Sequence, residues 1–84
     1  SLYSNNGSWN TGIGRSALES NTSGNYNIGI GSFALSYNTT GKNNIAIGCN
    51  SGCLIITGSN NVILGTNSGA WVANTSNNFV VSDF

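Results

Sequence analysis

Apolar residues recur along this chain in alternating pairs, and each pair returns after 17 residues. The first members of the pairs are Thr11, Ile28, Ile45, Val62 and Phe79, and the second members are Ile13, Ile30, Ile47, Leu64 and Val81. Alternation with a period of two, together with many β-branched residues, predicts short, half-buried β-strands. Constant spacing without insertions predicts a repeat array, in which each unit forms one coil of two short strands and two turns.

Polar and glycine columns keep the same register. An asparagine precedes every predicted strand, at Asn10, Asn27, Asn44, Asn61 and Asn78, and a glycine follows the first four, at Gly14, Gly31, Gly48 and Gly65. Asparagine bonds its own backbone in turns, and identical amides stacked from coil to coil form ladders. The glycines indicate positions where a side chain does not fit or φ is positive. We predict that both columns have structural turn and ladder roles.

A bulkier column lies in the second half of each unit, with Tyr3, Ser20, Tyr37, Leu54 and Trp71. It predicts a second strand, in which Leu35 and Tyr37 point inward. The fold class that follows is all-β, a parallel β-solenoid or β-roll of about five 17-residue coils. Residues 1–84 form one array, with coils at about 11–27, 28–44, 45–61 and 62–78 and partial coils at 1–10 and 79–84. Ser82, in a glycine column, predicts that the array ends or changes near residue 84.

The composition of the chain limits the kinds of partner that it can bind. The 84 residues include 12 glycines and few large apolar side chains, so each coil has little core of its own. The charged residues are Arg15, Lys42, Glu19 and Asp83, with a formal net charge of zero. Two cations cannot form a nucleic-acid surface, and no apolar run approaches the roughly 20 residues of a membrane span. We expect a fragment of a longer chain, which is either a slice of a longer solenoid or packs against copies of itself.

The chain lacks the residues that catalysis and metal binding require. Histidine is absent, and Glu19 and Asp83 stand almost four coils apart, too far for an acid/base pair. Two cysteines and two scattered acids cannot complete a metal shell. We therefore expect no enzyme activity, no catalytic residue, no cofactor and no metal.

Cys49 and Cys53 interrupt the repeat, where the previous coil has serines. In an extended strand their separation would be about 13 Å, too far for a bridge. A turn at residues 50–52 can bring them together. A disulfide and a pair of small buried thiols are therefore the two alternatives for these cysteines.

Asparagine and aromatic residues add further candidates. Glycosylation triplets occur at Asn6, Asn21, Asn38 and Asn74, and we attribute them to chance in so Asn- and Ser-rich a chain. The aromatic residues Tyr3, Trp9, Tyr26, Tyr37 and Trp71 can stack on sugars, but we favour core or subunit contacts for them. A receptor site is expected where the columns are broken, at 49–56, 79–84 and Trp71. Trp71 is the predicted ligand contact, and residues 25–44 are predicted scaffold.

The motif Asn-Asn-Ile-Ala-Ile-Gly at residues 43–48 resembles the repeats of phage tail-fibre and tail-spike proteins, as do residues 36–41 and 58–65. It is also similar to the head repeats of bacterial trimeric autotransporter adhesins, which have a shorter period. The resemblance extends over residues 7–81. It implies a homotrimeric fibre of parallel β-coils that binds a surface.

The function implied is host-cell attachment by an extracellular virion tail fibre. Its partners are copies of itself and a cell-surface glycan or protein receptor, without nucleic acid or membrane insertion. The alternative is a trimeric adhesin of the bacterial cell surface or a self-assembling extracellular filament. A minor alternative, ice binding, needs a regular hydroxyl row, and Ser23, Thr40 and Thr57 form a partial row that Asn74 interrupts.

Overall fold

The computed structural model of the chain describes residues 7–66 and 75–81. These residues contain five short strands, β1 (Thr11–Ile13), β2 (Ile28–Ile30), β3 (Ile45–Ile47), β4 (Val62–Leu64) and β5 (Phe79–Val81). The strands form one parallel sheet in sequence order, and each pairs in register with the strand 17 residues later. The predicted all-β parallel solenoid is therefore confirmed, with about four turns between its first and last strands.

The rest of each described coil is turn instead of a second strand. Residues 15–20, 32–37 and 49–54 are consecutive turns, so the prediction of two strands in each coil is wrong there. Left-handed residues interrupt an extended backbone, among them Leu18 at φ 54° and Leu35 at φ 53°. Backbone hydrogen bonds still join these turns to the next coil, as Leu18 N–H donates to the Ala34 carbonyl at 3.0 Å.

The strands bury their central residue instead of their apolar pair. The central positions are Gly12, Gly29, Ala46, Ile63 and Val80, of which the last four are buried. The flanking apolar residues point outward, and Ile47 remains 42% exposed. A β-carbon added to Gly29 would lie 3.0 Å from the carbonyl oxygen of Ala34. The coil interior is thus too narrow at Gly29 for a large side chain, which explains why β2 has its larger residues outside, whereas Ile63 and Val80 fill the same position in β4 and β5.

The core contains roughly one large side chain per coil, and its position changes along the array. Leu18 and Leu35 fill the first two coils and are wholly buried. In the third coil Gly52 takes the leucine position, and Ile55 is buried in place of an asparagine. A β-carbon on Gly52 would lie 3.2 Å from Leu35 Cδ2 and 3.3 Å from Ile55 Cδ1. The side-chain volume lost at Gly52 is therefore replaced by the larger side chain of Ile55.

The asparagine column joins each coil to the next. Asn44 Oδ1 accepts the backbone N–H of Asn61 at 3.0 Å, while Asn44 Nδ2 donates to the carbonyl of Gly58 at 2.8 Å. The same two bonds recur one coil earlier, from Asn27 to Asn44 and to Gly41. Asn27, Asn44 and Asn61 are wholly buried. Each of these amides therefore holds two backbone groups of the following coil, as the proposed ladder role requires.

Two glycine columns lie where neighbouring coils touch. Gly31 has a φ of 125°, and a β-carbon there would lie 2.6 Å from the carbonyl oxygen of Gly48. A β-carbon on Gly41 would overlap the carbonyl oxygen of Gly58, one coil later. Thr75 takes the fifth position of this second column. A further coil of the same geometry would bring its carbonyl against the Thr75 side chain. Ser82 lies outside the described residues.

Replacing Asn44 by alanine should destabilise the fold by about 2–4 kcal/mol, because Asn61 N–H and the Gly58 carbonyl each lose a partner in the interior. Chemical denaturation followed by circular dichroism measures the change. The matched control is Asn43→Gly, which removes an exposed amide from a left-handed position (φ 59°) that glycine accepts. Equal losses in the two variants would contradict the ladder role of Asn44.

Gly52→Leu and Ile55→Asn should each be destabilising alone and compensate each other when combined. Leucine at position 52 meets Ile55 Cδ1, whereas asparagine at position 55 leaves a cavity. Together they restore the pattern of the preceding coil, and the introduced amide can donate to Asn38 Oδ1, a buried atom without a partner. A double-mutant cycle should give a favourable coupling of about 1–3 kcal/mol. Strict additivity would show that the two sites are independent.

Candidate functional site

The largest candidate surface is the outward side of the sheet, here called the outward sheet face. It consists of ten side chains in two columns: Thr11, Ile28, Ile45, Val62 and Phe79, and Ile13, Ile30, Ile47, Leu64 and Val81. Parallel pairing in register places each side chain directly beside its counterpart in the next coil. Nine of these ten side chains are apolar, so the two columns form continuous apolar ladders.

Solvent reaches much of the outward sheet face. Phe79 is 74% exposed and Ile13 57%, and Ile28, Ile45 and Leu64 are half-buried. No element among residues 7–66 and 75–81 packs over it, since the five strands form one sheet. Parallel sheets are normally covered on both faces, and contiguous exposed apolar surface marks contact sites. The described charged side chains lie in turns outside the strands, so the face itself is uncharged.

A second group of exposed apolar residues lies in the turns. Tyr37 is 57% exposed, so the prediction that it points inward is wrong, whereas Leu35 is buried as predicted. Leu54 and Ile56 are each 42% exposed. Turn geometry explains the difference, because strict inward and outward alternation applies only to an extended strand.

Trp9 and Tyr26 form an exposed stack in the turns that precede β1 and β2. Their ring centroids lie 5.2 Å apart with an angle of 7° between the planes. Trp9 is 73% exposed and Tyr26 53%, so neither fills a core of this chain. Both have left-handed backbones, at φ 57° and 59°. This conformation costs of order 1–3 kcal/mol for a residue with a side chain, and asparagine tolerates it best.

The next three coils have asparagine at the position of this stack, at Asn43, Asn60 and Asn77, with φ between 59° and 64°. The first two coils therefore use the least suitable residue types where the backbone favours asparagine. The sequence placed both residues among five aromatics that can stack on sugars, but it did not pair them. The signal was present in the alignment of the 17-residue repeats, where this column has aromatic residues in the first two coils and asparagine in the next three.

A second amide ladder lies at Asn21 and Asn38, which the sequence marked only as glycosylation triplets. Asn38 Nδ2 donates to Asn21 Oδ1 at 2.9 Å, and both side chains are wholly buried. A glycan on either nitrogen would break the ladder, so neither site is compatible with this fold. Asn6 and Asn74 lie outside the described residues. The ladder stops at Ile55, which leaves Asn38 Oδ1 without a partner.

The cysteines are both free, so no disulfide is formed between Cys49 and Cys53. Cys49 is exposed and Cys53 is half-buried. Burial raises the pKa of the Cys53 thiol above its ordinary value, with a smaller contribution from nearby Cys49. Trp71, the predicted ligand contact, lies outside the described residues.

The described part of the chain has no enclosed site. Residues 7–66 and 75–81 contain no group of three metal-ligating side chains and no pocket. The same ranges contain no helix long and apolar enough to cross a membrane. Comparison with models of protein families, with curated proteins and with solved structures finds no match. The candidate sites are therefore open surfaces, namely the outward sheet face and the aromatic stack.

The two thiols should differ in reactivity towards iodoacetamide at neutral pH. Because burial shields Cys53 and raises its pKa, less of it is thiolate, and Cys49 should be alkylated first. Raising the pH should speed the reaction of Cys53 as its thiolate forms. Peptide mass spectrometry of timed samples measures both rates. Faster alkylation of Cys53 at neutral pH would contradict its described burial.

Proposed function

We propose that this chain is a structural and adhesive segment of a homotrimeric fibre, in which three parallel copies pack through their outward sheet faces. The observation that carries this proposal is the pair of uncovered apolar ladders on a parallel sheet. Burying them would remove from water more large apolar side chains than the narrow interior of each coil contains.

A second copy is the occupant that fits the outward sheet face best. The face is uncharged and repeats every coil, so an identical, parallel neighbour presents a matching ladder at the same spacing. A formal net charge of zero also removes electrostatic repulsion between copies. Three copies around one axis would enclose the ladders and leave the turns on the outside.

Attachment to a host cell is the role proposed for such a fibre, with the chain located on a virion tail and outside the cell. Support comes from the tail-fibre-like motifs at residues 43–48 and from the repeated, hydrogen-bonded coils, which form a rigid spacer. The turns would remain accessible to a glycan or protein receptor. Domains flanking this segment would distinguish a viral fibre from a bacterial surface adhesin.

Trimer formation should depend on Ile47 and not on Ile56, although each is 42% exposed. Ile47 lies on the outward sheet face, whereas Ile56 lies in a turn. Ile47→Lys would place three charges together in an apolar contact, so dissociation is expected. Ile56→Lys is the matched control and should leave the assembly intact.

Sedimentation equilibrium measures the outcome. The parent chain and Ile56→Lys should have three times the chain mass of 8.6 kDa, and Ile47→Lys should have a lower mass. A folded monomeric parent would exclude the fibre proposal. Dissociation by Ile56→Lys alone would place the subunit contact in the turns instead of the sheet.

A further inference from the structure

The stacked aromatic residues Trp9 and Tyr26 occupy positions that folding alone does not favour. Both combine a left-handed backbone with high exposure, and the same column contains asparagine in later coils. A residue kept for stability would relieve strain or fill the core, and these two residues do neither. Strained, exposed residues of this kind are found at binding sites, where the surrounding fold holds them in place.

Backbone hydrogen bonds hold the stack in place, and Trp9 is the more exposed of its two rings. Ser8 N–H donates to Asn25 Oδ1 at 2.7 Å, and Tyr26 N–H donates to the carbonyl of Ser8 at 3.1 Å. These bonds fix the two turns relative to each other. Because the rings are nearly parallel and 5.2 Å apart, each covers one face of the other. Most of Trp9, at 73% exposure, remains open to a ligand.

The chemistry around the stack fits a neutral sugar. Residues 7–10 and 24–27, which form the two turns, contain no charged side chain. Ser8 and Asn25 directly precede the two aromatic residues in sequence and add a hydroxyl and an amide, whose Oδ1 accepts the Ser8 N–H. A pyranose ring has an apolar C–H face that can pack on an indole, and hydroxyl groups that hydroxyl and amide groups can bond. A charged ligand would find no counter-ion within these two turns, and the first cation along the column is Lys42 in the following coil, where Asn43 N–H donates to the Asn25 carbonyl.

We propose that Trp9 and Tyr26 form a binding platform for a neutral saccharide, with Trp9 as the stacking surface. The inference rests on the proposed attachment function only in taking the sugar to belong to a cell surface. It places a ligand contact in the first two coils, away from Trp71 and the broken columns of the later coils.

Tryptophan emission provides a direct test, because the chain has two tryptophans and Trp71→Phe leaves Trp9 alone. The probes are soluble oligosaccharides of neutral hexoses and of N-acetylhexosamines. We expect a saturable change in Trp9 emission and, by NMR, saturation transfer from the protein to the sugar C–H groups. Absence of saturable binding to every probe would overturn the proposal.

Replacement of both aromatic residues by asparagine separates binding from folding. Trp9→Asn with Tyr26→Asn, followed by saturation transfer in the otherwise unchanged chain, should lower affinity about tenfold or more. The unfolding midpoint should stay equal or rise, because asparagine suits these backbone positions. The control Tyr37→Ser removes an exposed aromatic residue where the previous coil has Ser20, and it should bind like the parent. Equal loss in the control would overturn the proposal.

Sedimentation of the same samples distinguishes this proposal from the fibre proposal. If the asparagine variant dissociates, the stack is a subunit contact, and the saccharide platform is wrong while the fibre proposal stands. If Trp71→Phe abolishes binding that the asparagine variant retains, the ligand contact is at Trp71. If the parent is a monomer that still binds sugar through Trp9, only the fibre proposal fails.

Discussion

The structure depends on hydrogen bonds that join each coil to the next. A ladder asparagine such as Asn44 accepts from the backbone of one residue in the next coil and donates to a second. Because both partners belong to the following coil, the amide fixes the rise and the rotation between coils together. One inserted residue would shift every later column, with the glycines at the coil contacts moved away from the carbonyls they accommodate.

This constraint accounts for the distribution of apolar residues. Coils held at β-sheet spacing by backbone and amide bonds leave a narrow interior, in which Gly29 and Ala46 face Leu18 and Leu35. Such a core cannot by itself offset the conformational entropy of so many glycine, serine and asparagine residues. Most aliphatic side chains of the strands lie outside, where a neighbouring chain can cover them. Folding and association are thus expected to be coupled.

Register and strand positions could be predicted from the sequence, because the columns repeat without interruption. The side of the strand that faces inward could not. Alternation in Ile45-Ala46-Ile47 defines two faces, and ordinary hydrophobic reasoning buries the isoleucines. The correct choice requires knowing that the interior is narrow, which follows from the close approach of Ala34 to Gly29. Sequence patterns also missed the left-handed residues of the turns, since propensity does not place leucine or tryptophan there.

The candidate sites were predictable to different degrees. The asparagine ladder could be inferred because an identical residue at a fixed period indicates one contact that is repeated in every coil. The stack of Trp9 and Tyr26 could not, because its unusual feature is the backbone conformation of the column it occupies. Asn21 and Asn38 have a role that the sequence did not reveal, because the triplets attributed to chance contain buried amides that form a ladder.

The glycine column that includes Thr75 restricts how a further coil can stack. Gly7, Gly24, Gly41 and Gly58 each admit a carbonyl of the next coil, and the methyl-bearing side chain of Thr75 does not. Duplication of a whole 17-residue unit ahead of Thr75 would lengthen the rod and keep the columns in register, whereas a unit stacked after Thr75 would bring a carbonyl against its β-carbon. Unequal recombination would therefore change the number of coils in whole steps of 17 residues.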